Sequence, residues 1–127
     1  IVRQLGMREP HVTITGFARP NLRFEVRRTV NDTMKDEELR KLIDDTPGTG
    51  VIYVATIKEA ERLHEQLKDH FYRRHEFGLY HGRLAPAERK TAQDRFMADE
   101  LKAMVATNAF GLGIDKPDIR FVAHYHF

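Results

Sequence analysis

The chain has 127 residues, 41% of them hydrophobic, and carries 21 Lys and Arg against 19 Asp and Glu. That is one domain's length, with enough apolar material for one core, which excludes intrinsic disorder as the reading. With no cysteine, a disulfide scaffold, a thiolate metal site and a cysteine nucleophile are excluded, in keeping with a cytoplasmic setting. No apolar run approaches the ~18 residues of a membrane span, so no membrane partner is expected. The first residues show no basic-then-apolar leader pattern. A net charge of +2 with a pI near 9.0 leaves a nucleic-acid partner open.

Ile1 to Pro10 reads as the end of a helix or a linker leading into the domain. His11 to Thr15 is β-branched, and Leu22 to Arg27 alternates apolar with charged residues, the pattern of a half-buried strand. Gly16 and Pro20-Asn21 supply turn chemistry between them. A helix is expected from about Asp32 to Asp45, with Leu39, Leu42 and Ile43 on one face and Pro47-Gly48 ending it. Val51 to Val54 is a continuous apolar run suited to a strand covered on both faces. Thr56 stands where an N-cap belongs, with Glu59 three residues on as a capping box requires. The helix that follows carries Ala60, Leu63, Leu67 and Phe71 on one stripe. Phe77 to Tyr80 is a short strand, and Pro86 opens a third helix whose buried side is Ala92, Phe96 and Met97. Strands at Ala103 to Ala106 and Phe121 to Tyr125 close the series.

Apolar strands alternating with amphipathic helices predict a parallel sheet covered on both faces. In such sheets ligands meet the loops at the carboxyl ends of the strands. Three segments qualify: Ala55 to Lys58, His81 to Ala85 and Thr107 to Pro117. The last holds Gly111 and Gly113, which let backbone approach a phosphate, and Thr107 and Asn108, whose side chains suit phosphate or sugar oxygens. Asp115 could accept from a ribose hydroxyl; the same segment also reads as a tight crossover needing glycine for geometry alone. Thr56 and Lys58 lie at a helix N-terminus, a natural anion site and equally an ordinary cap. His81 either contacts a phosphate or packs locally, and Arg83 offers a phosphate-binding fork or a solvated surface charge. His124 and His126 share one face of a strand, but no third metal ligand stands out. There is no Gly-x-x-x-x-Gly-Lys-[Ser/Thr] phosphate loop, no full Gly-x-Gly-x-x-Gly fingerprint, and no nucleophile-base-acid set, so no catalytic residue is assigned.

The string Val105 to Tyr125 resembles motif V of RecQ-family DNA helicases and the strand after it. Gly50 to Thr56 resembles motif IV, and Tyr80-His81-Gly82-Arg83-Leu84 with Glu88, Arg89 and Gln93 to Phe96 resembles the family's Tyr-His-Ala-Gly-Leu segment and its helix. Phe17 to Arg23 resembles the Phe-Asp-Arg-Pro-Asn segment that leads into the second motor lobe. The resemblance implies a three-layer α/β/α RecA-like domain, the second lobe of an ATP-dependent 3′-to-5′ DNA helicase. Residues 1–15 would lead in from a preceding lobe, and 16–127 would form the lobe itself, stopping before motif VI and its arginine finger. ATP and Mg²⁺ would be held mainly by the first lobe. Carried over by position, Gly111, Gly113 and Asp115 would face the nucleotide. Thr56, Lys58, His81, Arg83, Thr107 and Asn108 would face single-stranded DNA. The chain departs from the family at Ile57, where arginine is usual, at Arg83, where glycine is usual, and at Ala18, where aspartate is usual. Two other readings are a DEAD-box-like RNA helicase lobe and a stand-alone, non-catalytic ligand-binding regulatory domain.

Overall fold

The computed structural model describes residues 6, 11, 16, 19–108, 110, 111 and 114–126. The strand expected at His11 to Thr15 and most of the lead-in segment lie outside them.

The helix α1 (Asp32–Asp45) starts where Asn31 supplies its side-chain oxygen to the Met34 N–H at 2.8 Å. Strand β1 (Thr49–Tyr53) is followed by α2 (Ile57–His70), β2 (Phe77–Tyr80), α3 (Pro86–Met97), β3 (Ala103–Ala106) and β4 (Ile119–His124). The four strands form one sheet in the order β2-β3-β1-β4, and every pairing is parallel. Because side chains alternate across a strand, Ile52, Val54 and Val105 face α1 and α2, where Leu39, Ile43, Ala60, Leu63 and Leu67 meet them. Val51, Met104 and Ala106 face the other way, onto Phe96 of α3, Leu101 and Phe110. The result is the expected three-layer α/β/α arrangement. Gly50 is required at its place: a Cβ there would stand 2.3 Å from the Phe121 ring that crosses β1 from β4.

Three expectations are corrected. Leu22 to Arg27 is not a strand. After the Arg19–Leu22 turn its chain has no regular structure, no neighbouring strand among the described residues offers it a ladder, and Phe24 and Val26 are 93% and 79% exposed. The apolar alternation was real, and the partner that would make it a strand is absent among the described residues. Met97 does not share the buried side of α3; it is largely exposed at the last turn, and Phe96 alone is fully buried there. The last strand runs Ile119–His124, so Tyr125 lies just past it. Among the described residues no helix is long and apolar enough to cross a membrane.

Candidate functional site

Parallel register brings the three candidate loops to one edge of the sheet. Tyr53 of β1 and Tyr80 of β2 both align with Ala106 of β3. The pairing continues one step further: Val54 N–H donates to Ala106 O at 2.9 Å and Thr107 N–H to Tyr80 O at 3.2 Å. Everything after these residues therefore emerges at the carboxyl ends of the strands.

The loop after β3 is pinned at both ends. Phe110 is buried between the Tyr80 ring, 4.9 Å away, and the Phe96 ring, 5.7 Å away edge-on. Its N–H returns to Thr107 O at 3.1 Å, and its carbonyl accepts from the Tyr53 hydroxyl at 3.1 Å. Burial raises the Tyr53 phenol's pKa, so the donor proton is held firmly. At the far end Lys116 is buried, with Nζ 2.5 Å from Asp99 and 2.9 Å from Asp118. Burial works against its charge, yet the two carboxylates win and raise its pKa. Between these anchors Gly111 and Asp115 are exposed; before Phe110, Asn108 is exposed and Thr107 half-buried. Gly111 has φ +109°, a conformation open to glycine, and a Cβ there would meet the Tyr53 hydroxyl at 2.6 Å. Gly113 lies outside the described residues.

At the head of α2 the Thr56 hydroxyl accepts from Glu59 N–H at 3.2 Å, leaving its own proton free to donate to an anion. Thr56 and Lys58 are both exposed. The Glu59 carboxylate does not turn back to complete the capping box; it accepts two N–H groups of Arg62 at 3.1 and 3.0 Å. In the turn after β2, closed by Leu84 N–H on His81 O at 3.2 Å, Arg83 is exposed. His81 points inward instead: it is 2% exposed, with Nε2 3.5 Å from Glu61 and neither ring nitrogen hydrogen-bonded. The edge thus gathers Thr56, Lys58, Arg83, Thr107, Asn108, Gly111 and Asp115 as surface groups, with His81 behind them.

A nucleotide fits these residues in part. Backbone at Gly111 and an exposed carboxylate at Asp115 suit the sugar-phosphate side of a nucleotide. For magnesium, among the described residues no group of three or more His, Asp or Glu is placed as a ligand set. His124 stacks its ring on Tyr53 at 5.3 Å.

Sequence reasoning missed the groups that hold this edge. Tyr53 ended an apolar strand, and a buried phenol needs a hydroxyl partner, which was the available signal. Asp36 falls at helical spacing with Leu39 and Ile43, a carboxylate on an apolar stripe. It accepts the Tyr125 hydroxyl at 2.6 Å, and Arg62 donates to that same hydroxyl oxygen at 3.0 Å. Lys116 carried no signal.

Residues 34–127 match the family described as the helicase conserved C-terminal domain. The chain is 46% identical over 125 residues to the ATP-dependent DNA helicase RecQ of Bacillus subtilis (strain 168), covering 98% of this chain and 20% of that protein. It is 35% identical over 126 residues to the RecQ of Synechocystis sp., again over 98% of this chain and 26% of the relative. Among solved structures, S. cerevisiae Dbp5 bound to RNA and ADP BeF3 superposes with a TM-score of 0.68 at 33% identity, covering 76% of this chain and 24% of that one. The chain thus spans about a fifth to a quarter of the length of these relatives.

Proposed function

Because the chain belongs to the helicase conserved C-terminal domain family, with RecQ DNA helicases among its relatives, we propose that it is the second motor lobe of an ATP-dependent 3′-to-5′ DNA helicase, working in the cytoplasm. The observation that carries this reading is the gathering of the three loops at one edge, on a chain 46% identical to a RecQ helicase. The lobe completes an ATP cleft whose phosphate loop and magnesium ligands belong to a first lobe of the same protein. Nucleotide held between the lobes would favour their closure, and the phosphoryl transfer that ATP supplies would release it.

This chain's residues do two things. Gly111 and Asp115 face the nucleotide, the carboxylate toward its ribose. Thr56, Lys58, Arg83, Thr107 and Asn108 hold the backbone of single-stranded DNA through hydroxyl, amide and cationic donors, contacts that carry no sequence information and so suit stepping along any strand. A groove of about 550 Å³ beside the edge is lined by Tyr80, Pro86, Arg89, Lys90, Gln93 and Asp94; Lys90 is paired with Asp94, which leaves Arg89 as the cation it offers a phosphate backbone. His81 supports the turn from beneath. Alone, without phosphate loop or arginine finger, the lobe hydrolyses no ATP.

The likeness to Dbp5, solved with RNA, supports a second reading in which the strand is RNA. The deciding experiment uses the full-length protein that contains this chain. ATP hydrolysis is followed with and without single-stranded DNA and RNA, together with unwinding of duplexes carrying 3′ or 5′ tails. Stimulation by DNA over RNA and unwinding from a 3′ tail are expected. Stimulation by RNA alone, or unwinding only from a 5′ tail, overturns the reading.

A further inference from the structure

We propose that Arg62 is a positioning residue that ties the DNA-facing head of α2 to the nucleotide-facing loop after β3, so that the state of one is felt by the other. The inference rests on the function proposed above and adds a route between its two ligands.

The route is continuous. The Thr56 hydroxyl holds the Glu59 N–H at 3.2 Å, and the Glu59 carboxylate takes two N–H groups of Arg62 at 3.1 and 3.0 Å. Arg62 Nη2 donates to the Tyr125 hydroxyl at 3.0 Å, which donates to Asp36 at 2.6 Å. Tyr125 N–H donates to Tyr53 O at 2.9 Å, and the Tyr53 hydroxyl donates to Phe110 O at 3.1 Å, one residue before Gly111. The first two joints lie within α2 and its cap, and the later ones pass between elements: α2, α1, the exit of β4, β1 and the β3 loop. Arg62 is the branch point. Its guanidinium also reaches Gln66 at 2.5 Å and Asp36 at 3.5 Å, and it stands 5.8 Å from the Tyr125 ring centroid, with Lys35 at 4.6 Å.

The planar fork has five N–H donors, and all five are engaged, by Glu59 twice and by Gln66, Asp36 and Tyr125 once each. A phosphate drawn to Thr56 competes for that hydroxyl and shifts the first turn of α2. Glu59 moves with the turn, and Arg62 must redistribute its donors between Glu59 and the Tyr125–Asp36 pair. Tyr125 is the residue on which β4 leaves the sheet, so a change in its hold alters both the Tyr53–Phe110 bond and the direction of the chain beyond. Neither Arg62 nor Tyr125 touches either ligand, so their effect is on the coupling between sites.

The test uses the full-length protein and the variants Arg62→Met, Arg62→Lys, Tyr125→Phe and Asp36→Asn. Each is assayed for ATP turnover without DNA, turnover at saturating single-stranded DNA, DNA affinity by fluorescence anisotropy, and melting temperature. Arg62→Met and Tyr125→Phe are expected to lower the stimulation ratio by about two- to thirtyfold, the span of coupling carried by intervening residues, with DNA-free turnover and DNA affinity unchanged. Arg62→Lys should not rescue, since three donors on one atom cannot replace the five-donor fork that spans Glu59, Gln66, Asp36 and Tyr125. The Tyr125→Phe/Asp36→Asn double variant should lose no more than the worse single one. Tyr125→Phe keeps the ring's packing, so it reports even where Arg62→Met melts early. An unchanged ratio in both variants overturns the inference, as does an equal fall of turnover with and without DNA, which marks a purely structural role. If the unaltered protein shows no stimulation by DNA, the motor reading itself falls; if it is stimulated and the variants match it, only the coupling role falls.

Discussion

Gly111→Ala should damage the nucleotide-facing loop by two separable routes. Its φ of +109° is a conformation that costs an L-residue about 1–3 kcal/mol. Independently, the new Cβ would lie 2.6 Å from the Tyr53 hydroxyl, so that phenol must swing away from Phe110 O. Losing that bond costs about 0.5–1.5 kcal/mol. The loop is anchored in the core through Phe110, so the sum, about 1.5–4.5 kcal/mol, should appear in the stability of the domain. Urea denaturation followed by far-ultraviolet circular dichroism measures it, with an unchanged slope expected because the surface exposed on unfolding is the same. Tyr53→Phe removes the obstructing oxygen and leaves Cζ at an ordinary 3.8 Å. The double variant should therefore lose about 1 kcal/mol less than the sum of the singles, because the Tyr53–Phe110 bond cannot be lost twice. A Gly111→Ala domain within about 0.5 kcal/mol of the parent, the range of an ordinary surface change, would refute the conformational argument. Strict additivity would refute the steric one.

Two further outcomes follow from the buried polar groups. Tyr125 has its pKa pushed up to about 12 by burial and by the Asp36 carboxylate it serves. Its contribution is complete below pH 10, where the phenol is neutral in the folded and unfolded chain alike, and it drains away as pH rises toward 12, because the unfolded chain ionises first. Chemical denaturation across that window should show a fall of about 2–3 kcal/mol, and Tyr125→Phe should flatten it; equal slopes in the two proteins would remove the assignment. Lys116→Met keeps an apolar stem at this buried position, removes the ammonium that stands 5.7 Å from the Phe96 ring centroid, and releases Asp99 and Asp118, both solvated, so no buried charge is stranded. Thermal melting should place it within about 1 kcal/mol of the parent, and a loss several times larger would mean that the ion pairs, not the stem, hold the loop.

The layers were legible because periodicity reports which side of an element is covered. The 3.6-residue stripe of Ala60, Leu63 and Leu67 and the unbroken apolar run of β1 both name a two-sided core. Leu22 to Arg27 shows the limit of that logic. Alternation says that one face wants cover, but pairing needs a second strand, and pairing is not written in a single segment. The edge that gathers the candidate site was legible from parallel topology alone. Which way a side chain turns at that edge was not: His81 follows a strand just as Thr107 does, yet its ring is buried, with Nε2 3.5 Å from the carboxylate of the exposed Glu61. The Asp36, Arg62 and Tyr125 cluster was not legible as a cluster. Its members lie in three places far apart in the chain, and although Asp36 stands out as a carboxylate on an apolar stripe, nothing in the sequence names its partners.

The central position of β1 has a consequence for how this chain is made. Its partners in β3 and β4 lie more than fifty residues downstream. At synthesis rates of about 5–20 residues per second, Thr49 to Tyr53 waits on the order of several seconds after it is made before either neighbour exists. During that interval a short β-prone apolar segment has both ladder edges open, the condition in which strands recruit the wrong partner. Among the described elements, α1 and α2 flank it closely in sequence and can shield one face. The birth of this domain, more than its finished stability, is where chaperone dependence and loss to aggregation should concentrate.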